Sequence, residues 1–217
     1  MQKSFFQLEP LCQAFGVLDE PGAAEELLQT CYDAAKDGVS IVARHTDSNE
    51  IVGVVFNKIQ VLGSEEFNKN FKHKSVKLFY DFAVELESRA DLFNRYNTKC
   101  IMEELYMATM PDFQKRKIGE LLCYSAYKLG QELYKGHYFK TPLDGQDSEI
   151  TNAKDIPTHL VALTTSYYTQ RLADKLGYDN VLEVDYKDYQ IEGINICERI
   201  GDKHKTCRII AKKLDIT

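Results

Sequence analysis

Apolar residues recur along the chain with two different periods, and the switches between them lay out the elements. Residues 1–35 read as helical, with Leu27, Leu28, Cys31 and Ala35 at helical spacing between Ala23 and Ala35. Val39 to Ala43 and Ile51 to Val61 read as strands, and the turn-like run Thr46 to Asn49 between them predicts an antiparallel hairpin. A polar stretch, Gly63 to Lys74, precedes an amphipathic helix over Ser75 to Tyr96. A strand follows over Cys100 to Thr109. The next helix, Lys117 to Tyr134, is expected to turn Ile118, Leu121, Leu122, Ser125, Ala126 and Leu129 toward a sheet.

Gly136 to Ile156 is long for a connection inside a compact domain, and reads as an exposed insertion or a lid. Then come a strand (Thr158 to Leu163), a helix (Tyr167 to Leu176) and two strands, Val181 to Tyr186 and Thr206 to Lys213. Strand and helix alternate through the middle, with an antiparallel pair at each end. That order predicts an α/β (α+β) fold: a mixed central β-sheet flanked by helices.

A length of 217 residues suits one such domain, residues 1–217. No run approaches the roughly 18 apolar residues of a membrane span. Glu9 and Pro10 interrupt the opening apolar run, so the N-terminus does not read as a signal peptide. Six cysteines without a C-x-x-C pair or zinc spacing fit a reducing, cytoplasmic setting and indicate no metal site. The net charge of −6, with no basic stripe among aromatics, argues against nucleic acid. No oligomeric state is indicated.

The most informative stretch is Leu105 to Lys128, where an apolar strand passes through a basic loop straight into a helix. Amides in the first turn of a helix lack partners, and with the helix dipole they favour a phosphate or pyrophosphate. Lys115, Arg116 and Lys117 add charge, and Gly119 keeps bulk off the turn. A basic, solvated helix start is the competing reading. Neither G-x-x-x-x-G-K-S/T nor G-x-G-x-x-G occurs, so nucleoside triphosphates and dinucleotides are poorer fits.

Gln114-Lys115-Arg116-Lys117-Ile118-Gly119 resembles the acetyl-CoA loop of the GNAT superfamily of N-acetyltransferases, Arg/Gln-x-x-Gly-x-Gly/Ala, except that Lys117 stands at the usual Gly. Helical dihedrals are expected at Lys117. The opening Phe5-Phe6-Gln7-Leu8-Glu9-Pro10-Leu11 resembles the F-F-x-x-E-P-L motif of insect arylalkylamine N-acetyltransferases. Thr164 to Thr169 with Lys175-Leu176-Gly177-Tyr178 resembles that family's second acetyl-CoA motif, and Cys207 to Leu214 its last strand. Only four residues precede the opening motif, so the family's usual first strand is expected to be missing.

The resemblance implies a GNAT fold, acetyl-CoA as co-substrate and a small-molecule amine as acceptor. It implies Glu9 as catalytic base, with hydroxyls of Thr165 and Thr169 near the reaction centre. It places Met107, Ala108, Thr109, the loop Gln114 to Gly119, Ser166 and Tyr168 on the coenzyme, and Phe6 and Pro10 beside the amine. Each has a plainer reading. Glu9-Pro10 also breaks a helix, Thr165 or Ser166 also caps one, and Met107 to Thr109 also read as a fully paired strand. Glu20-Pro21 lacks the double Phe and reads as a helix start. Cys123 reads as a small core residue rather than a nucleophile, and Ala173 replaces a Tyr that many relatives use as proton donor. A weak acyl-CoA-binding protein and a protein lysine acetyltransferase are the competing classes.

Overall fold

The computed structural model describes residues 1–64, 70–143 and 154–215. Three helices open the chain, α1 (Phe5–Leu8), α2 (Pro10–Phe15) and α3 (Ala23–Ala35), followed by β1 (Ile41–Arg44) and β2 (Ile51–Val61). Then come α4 (Lys74–Ala90), α5 (Leu92–Arg95), β3 (Cys100–Thr109), α6 (Ile118–Tyr134), β4 (His159–Thr164), α7 (Tyr167–Leu176) and β5 (Asp179–Asp185). A small hairpin, β6 (Gln190–Ile191) and β7 (Ile194–Asn195), leads to α8 (Ile196–Ile200) and β8 (Thr206–Lys213). The mixed sheet has the order β1-β2-β3-β4-β8-β5, and no strand precedes Ile41 among the described residues.

The periodicity reading holds for β2, β3, α7 and β8 end to end, and fails where a single residue breaks a longer pattern. The helical stretch 1–35 is divided into three helices, because Pro10 starts α2 and Gly16, at φ 71°, ends it. The expected 75–96 helix stops at Ala90, where Asp91 adopts a left-handed cap at φ 46°. The hairpin β6–β7 and α8 are too short to show a period. They turn on Glu192 and Gly193, both at positive φ. Parts of the polar stretch and of the 136–156 excursion, residues 65–69 and 144–153, lie outside the described residues.

Contacts gather the chain into two compact units, one of residues 1–28, 65–92 and 163–211 and the other of 29–64, 93–162 and 212–217. In the first, α4 buries Phe79, Phe82 and Leu86. Phe15 meets Phe79 and Phe82 at ring distances of 6.3 and 5.9 Å, and Phe82 meets Tyr186 and Tyr189 at 6.4 and 5.0 Å. His73, the N-cap of α4, offers no side-chain cap. Two distant carboxylates do that work. Glu20 accepts from the Ser75 amide at 2.8 Å, the Ser75 hydroxyl at 2.7 Å and the Lys74 amide at 3.1 Å. Glu26 takes the amides of Lys72 and His73 at 2.8 and 3.0 Å. Glu20 is thus not the start of its own helix, which begins at Ala23 beyond the Pro21 turn.

In the second unit, β1, β2 and β3 form an antiparallel ladder, with Gly53 opposite Thr109 and Val61 opposite Cys100 at the ends of the β2–β3 register. β3 pairs in parallel with β4, Met102 to Glu104 against Leu160 to Ala162. α6 packs across this sheet, burying Leu122, Cys123, Ala126 and Leu133. Leu121 and Ser125, expected inside, are exposed, because the apolar stripe of α6 is narrower than a loose helical count suggests. The excursion after α6 is not wholly exposed either. Lys140 is buried, and the Thr141 amide donates to the Gly38 carbonyl at 3.0 Å. Gly38 sits at φ 69°, where a Cβ would stand 2.8 Å from both N and O of Thr141.

The start of α6 is seated by Gly53: a Cβ there would lie 2.7 Å from Ile118 Cγ2 and 3.1 Å from Leu122 Cδ1. Ile118 is β-branched and short, so it yields little. Gly53→Ala is expected to lower stability by about 1–3 kcal/mol, read from urea unfolding. The Glu20 carboxyl is held below its ordinary pKa by the Ser75 amide and hydroxyl. A depressed carboxylate adds stability that is present at neutral pH and lost as the pH falls through its folded-state value. Glu20→Gln should therefore unfold at lower denaturant than wild type at pH 7, the two curves converging once the pH drops below the carboxylate range.

Candidate active site

Proline disfavours helical dihedrals in the residue before it, and Glu9 accordingly sits at φ −76° and ψ 125° between α1 and α2. In that conformation it is the N-cap of α2, with Pro10 at the first helical position. Its Oε2 accepts the Cys12 amide. The helix break and the candidate base are thus one feature. The residue is 7% exposed, and its other oxygen, Oε1, has no hydrogen-bond partner among the described residues. Burial pushes the Glu9 carboxyl above its ordinary pKa, while the Thr165 hydroxyl and the amides of Cys12 and Leu11 pull the other way.

Thr165 follows β4 and precedes α7, and its hydroxyl faces Glu9 without forming a full hydrogen bond to it. Ser166 and Thr169 form the capping box of α7. Ser166 Oγ accepts the Thr169 amide at 3.2 Å, and Thr169 Oγ1 accepts the Ser166 amide at 3.3 Å. The Thr169 hydroxyl also donates to the Ser166 carbonyl at 2.9 Å. Of the three hydroxyls, Thr165 is the one that faces Glu9, and the other two hold the helix start. Tyr168 is exposed, with Lys203 over its ring at 4.4 Å and bonded to its hydroxyl. Phe6 and Pro10 are both buried, Phe6 edge-on to Phe5 at 5.9 Å between ring centres.

Three residues around the start of α7 escape a reading of the sequence. Tyr186 donates its hydroxyl to the Thr165 carbonyl at 2.8 Å. Gln170 is buried and donates to the carbonyls of Thr164 and Thr206 at 3.3 and 2.7 Å. His204 Nδ1 accepts the Tyr167 amide at 3.1 Å, and burial lowers its pKa. Only Gln170 leaves a trace in sequence, as a polar residue three before Ala173 on the inward face of α7.

In the second unit the basic loop runs from the 3-10 turn Pro111–Phe113 into α6. Lys117 is not helical: it stands at φ 63° and ψ 15°, and Lys115 is also left-handed at φ 61°. That corrects the expectation and explains it, since glycine is the residue for which positive φ carries no steric penalty. Lys117 offers α6 no side-chain cap. The amides from Lys115 to Gly119 donate no hydrogen bond among the described residues. Alternating left- and right-handed residues at a helix start turn amides into one concavity, which suits an anion. Gln114, Lys115, Arg116 and Lys117 are exposed, and Ile118 and Gly119 half-buried. The Arg116 guanidinium lies over the Phe113 ring at 4.9 Å.

The strand before the loop is irregular near its end. Leu105 is an extra residue in the β2–β3 register, between Glu104 and Tyr106. Met107, Ala108 and Thr109 pair with Val55, Val54 and Gly53, while the register with β4 ends at Glu104. Among the described residues they therefore bond toward β2 alone, and the reading of a fully paired strand falls. Cys123, whose Sγ lies 3.6 Å from Met107 Sδ, has its thiol pushed far up by burial and by Glu104, which leaves it neutral.

No family model and no curated protein matches the chain. Among solved structures it resembles arylalkylamine N-acetyltransferase 2 from Aedes aegypti, with a TM-score of 0.77 at 23% identity over 99% of this chain and 91% of that one. The apo form of a mutant agmatine N-acetyltransferase gives 0.69 at 20% identity over 98% and 90%. The Drosophila melanogaster polyamine N-acetyltransferase gives 0.65 at 19% identity over 89% and 82%. The fold is that of the GNAT N-acetyltransferases.

A left-handed lysine is strained by about 1–2 kcal/mol relative to its helical form. Lys117→Gly is expected to raise stability by about 0.5–1 kcal/mol, and Lys117→Val to lower it, as measured by chemical denaturation.

Proposed function

We propose that this chain, acting over residues 1–217 as one N-acetyltransferase domain in the cytoplasm, moves an acetyl group from acetyl-CoA to the primary amine of an arylalkylamine of the dopamine, tryptamine or serotonin class. The observation that carries the reading is the Glu9 carboxylate, buried and raised in pKa, with Oε1 unpartnered. An alkylamine has a pKa near ~10, so about one molecule in a thousand is neutral at pH 7. A buried base with a raised pKa is suited to take that proton.

Transfer is direct, in a ternary complex. The ammonium gives one proton to Glu9, the neutral nitrogen forms a bond to the thioester carbonyl carbon, and as the C–S bond breaks the nitrogen's second proton goes to the leaving sulfur, releasing coenzyme A as a thiol. Thr165 and Thr169 supply hydroxyls near the reaction centre, Thr165 by adjusting the basicity of Glu9. The undonated amides from Lys115 to Gly119, with the charges of Lys115, Arg116 and Lys117, fit the pyrophosphate of the coenzyme. The unpaired side of Met107, Ala108 and Thr109 fits its pantetheine amides. Ser166 and Tyr168 complete the coenzyme contacts, and Phe6 and Pro10 shape the amine end. The neutral Cys123 thiol supports a route without an acetyl-enzyme.

Agmatine and polyamines are the second acceptor class, favoured by the named activities of two of the structural neighbours. Release of thiol from acetyl-CoA across arylalkylamines, polyamines and agmatine, with calorimetric binding of acetyl-CoA in parallel, separates the readings. Turnover with arylalkylamines supports the proposal, turnover with diamines alone replaces its substrate class, and binding without turnover leaves an acyl-CoA-binding protein. Glu9→Gln is expected to lower turnover at pH 7 by about 10²–10⁴-fold with acetyl-CoA affinity unchanged, and Glu20→Gln to change it little. Because Glu9 must be ionised to act, the acid limb of kcat/KM should lie above the ordinary carboxylate range, and a limb at or below it would sink the assignment.

A further inference from the structure

Tyr186 is fully buried and opens the 3-10 turn after β5. Its amide donates to the Lys205 carbonyl at 2.9 Å and its ring packs against Phe82, so both backbone and ring are fixed. The hydroxyl donates to the Thr165 carbonyl at 2.8 Å. The Cys207 thiol lies against the same hydroxyl. Both groups are near enough to Glu9 to feel its charge. Glu9, Tyr186 and Cys207, all buried, therefore form one polar cluster with the half-buried Thr165.

Thr165 is held on both sides of its α-carbon. Gln170 donates to the Thr164 carbonyl at 3.3 Å, and Tyr186 to that of Thr165. With both peptide planes anchored, the Cα–Cβ bond of Thr165 is held in one direction, which limits where its hydroxyl can reach. We propose that Tyr186 is a positioning residue for the candidate base, its hydroxyl fixing the Thr165 peptide so that the Thr165 hydroxyl faces the Glu9 carboxylate. The inference rests on Glu9 being the base of the proposed reaction. The Thr165 hydroxyl favours the ionised carboxylate against the opposing effect of burial. Loosening it leaves burial less opposed, and the Glu9 pKa rises further.

The test is the Glu9 titration itself, followed by carboxyl-carbon NMR in glutamate-labelled protein, with the signal assigned by its loss in Glu9→Gln. Thr165→Val and Tyr186→Phe are each expected to raise the Glu9 pKa, in the same direction and by a similar amount. The double variant should match Thr165→Val alone, because Tyr186 acts through Thr165. A shift in Thr165→Val with none in Tyr186→Phe, or additive shifts in the double variant, overturns the positioning role. If Tyr186→Phe does not fold, 4-fluorophenylalanine at position 186 fills the space of the hydroxyl without donating and serves the same measurement. Turnover separates the two claims. Retained turnover in Glu9→Gln removes the base and the catalytic meaning of the coupling together, whereas loss of turnover with a Tyr186-independent titration overturns the positioning role alone.

Discussion

Pro10 denies Glu9 a helical backbone, and the chemistry of the first unit follows from that restriction. The carboxylate folds over the start of α2, where one oxygen is satisfied by the Cys12 amide and the other is not. A buried carboxylate with a single bonded oxygen is costly to ionise, so the group keeps its proton to higher pH than an exposed glutamate does. The cluster of Thr165, Tyr186 and Cys207 then modulates a charge that the helix break has already placed. A capping residue and a candidate base are therefore the same side chain doing both tasks.

Backbone conformation has a comparable part in the second unit. Two lysines in left-handed geometry lead into α6 beside amides that donate no hydrogen bond among the described residues, and the extra residue Leu105 accompanies the end of pairing between β3 and β4. Gly53 lets α6 lie close against β2 at its first turn. Each feature leaves donors or space that a regular helix or sheet would have consumed. Lys117 costs strain at its positive φ, and its ammonium adds to the positive charge of the loop.

The placement of buried polar groups separates the two glutamate–proline pairs, which look alike in sequence. Glu9 ends in a closed site with one unpartnered oxygen. Glu20 reaches the start of α4, where Ser75 satisfies it and holds its pKa down. Opposite shifts in two chemically identical side chains come from surroundings drawn from segments far away in the chain, around Thr165 for one and Ser75 for the other.

Strands β2, β3 and β8 and helix α7 were legible in the sequence, because each has an apolar face repeated over several turns or pleats. So were the Glu9-Pro10 break and the basic loop before α6, since proline and glycine-like positions act on the residues beside them. Tertiary structure decided the rest. It ended α4 at Asp91, buried Lys140, exposed Leu121, and gave Thr169 to the α7 capping box. It also brought the Tyr186 hydroxyl to the Thr165 carbonyl. Local order needs only short-range sterics and periodicity, which one stretch of chain carries by itself. Which buried donor meets which acceptor depends on segments far apart in the chain, and only the packed fold brings those together.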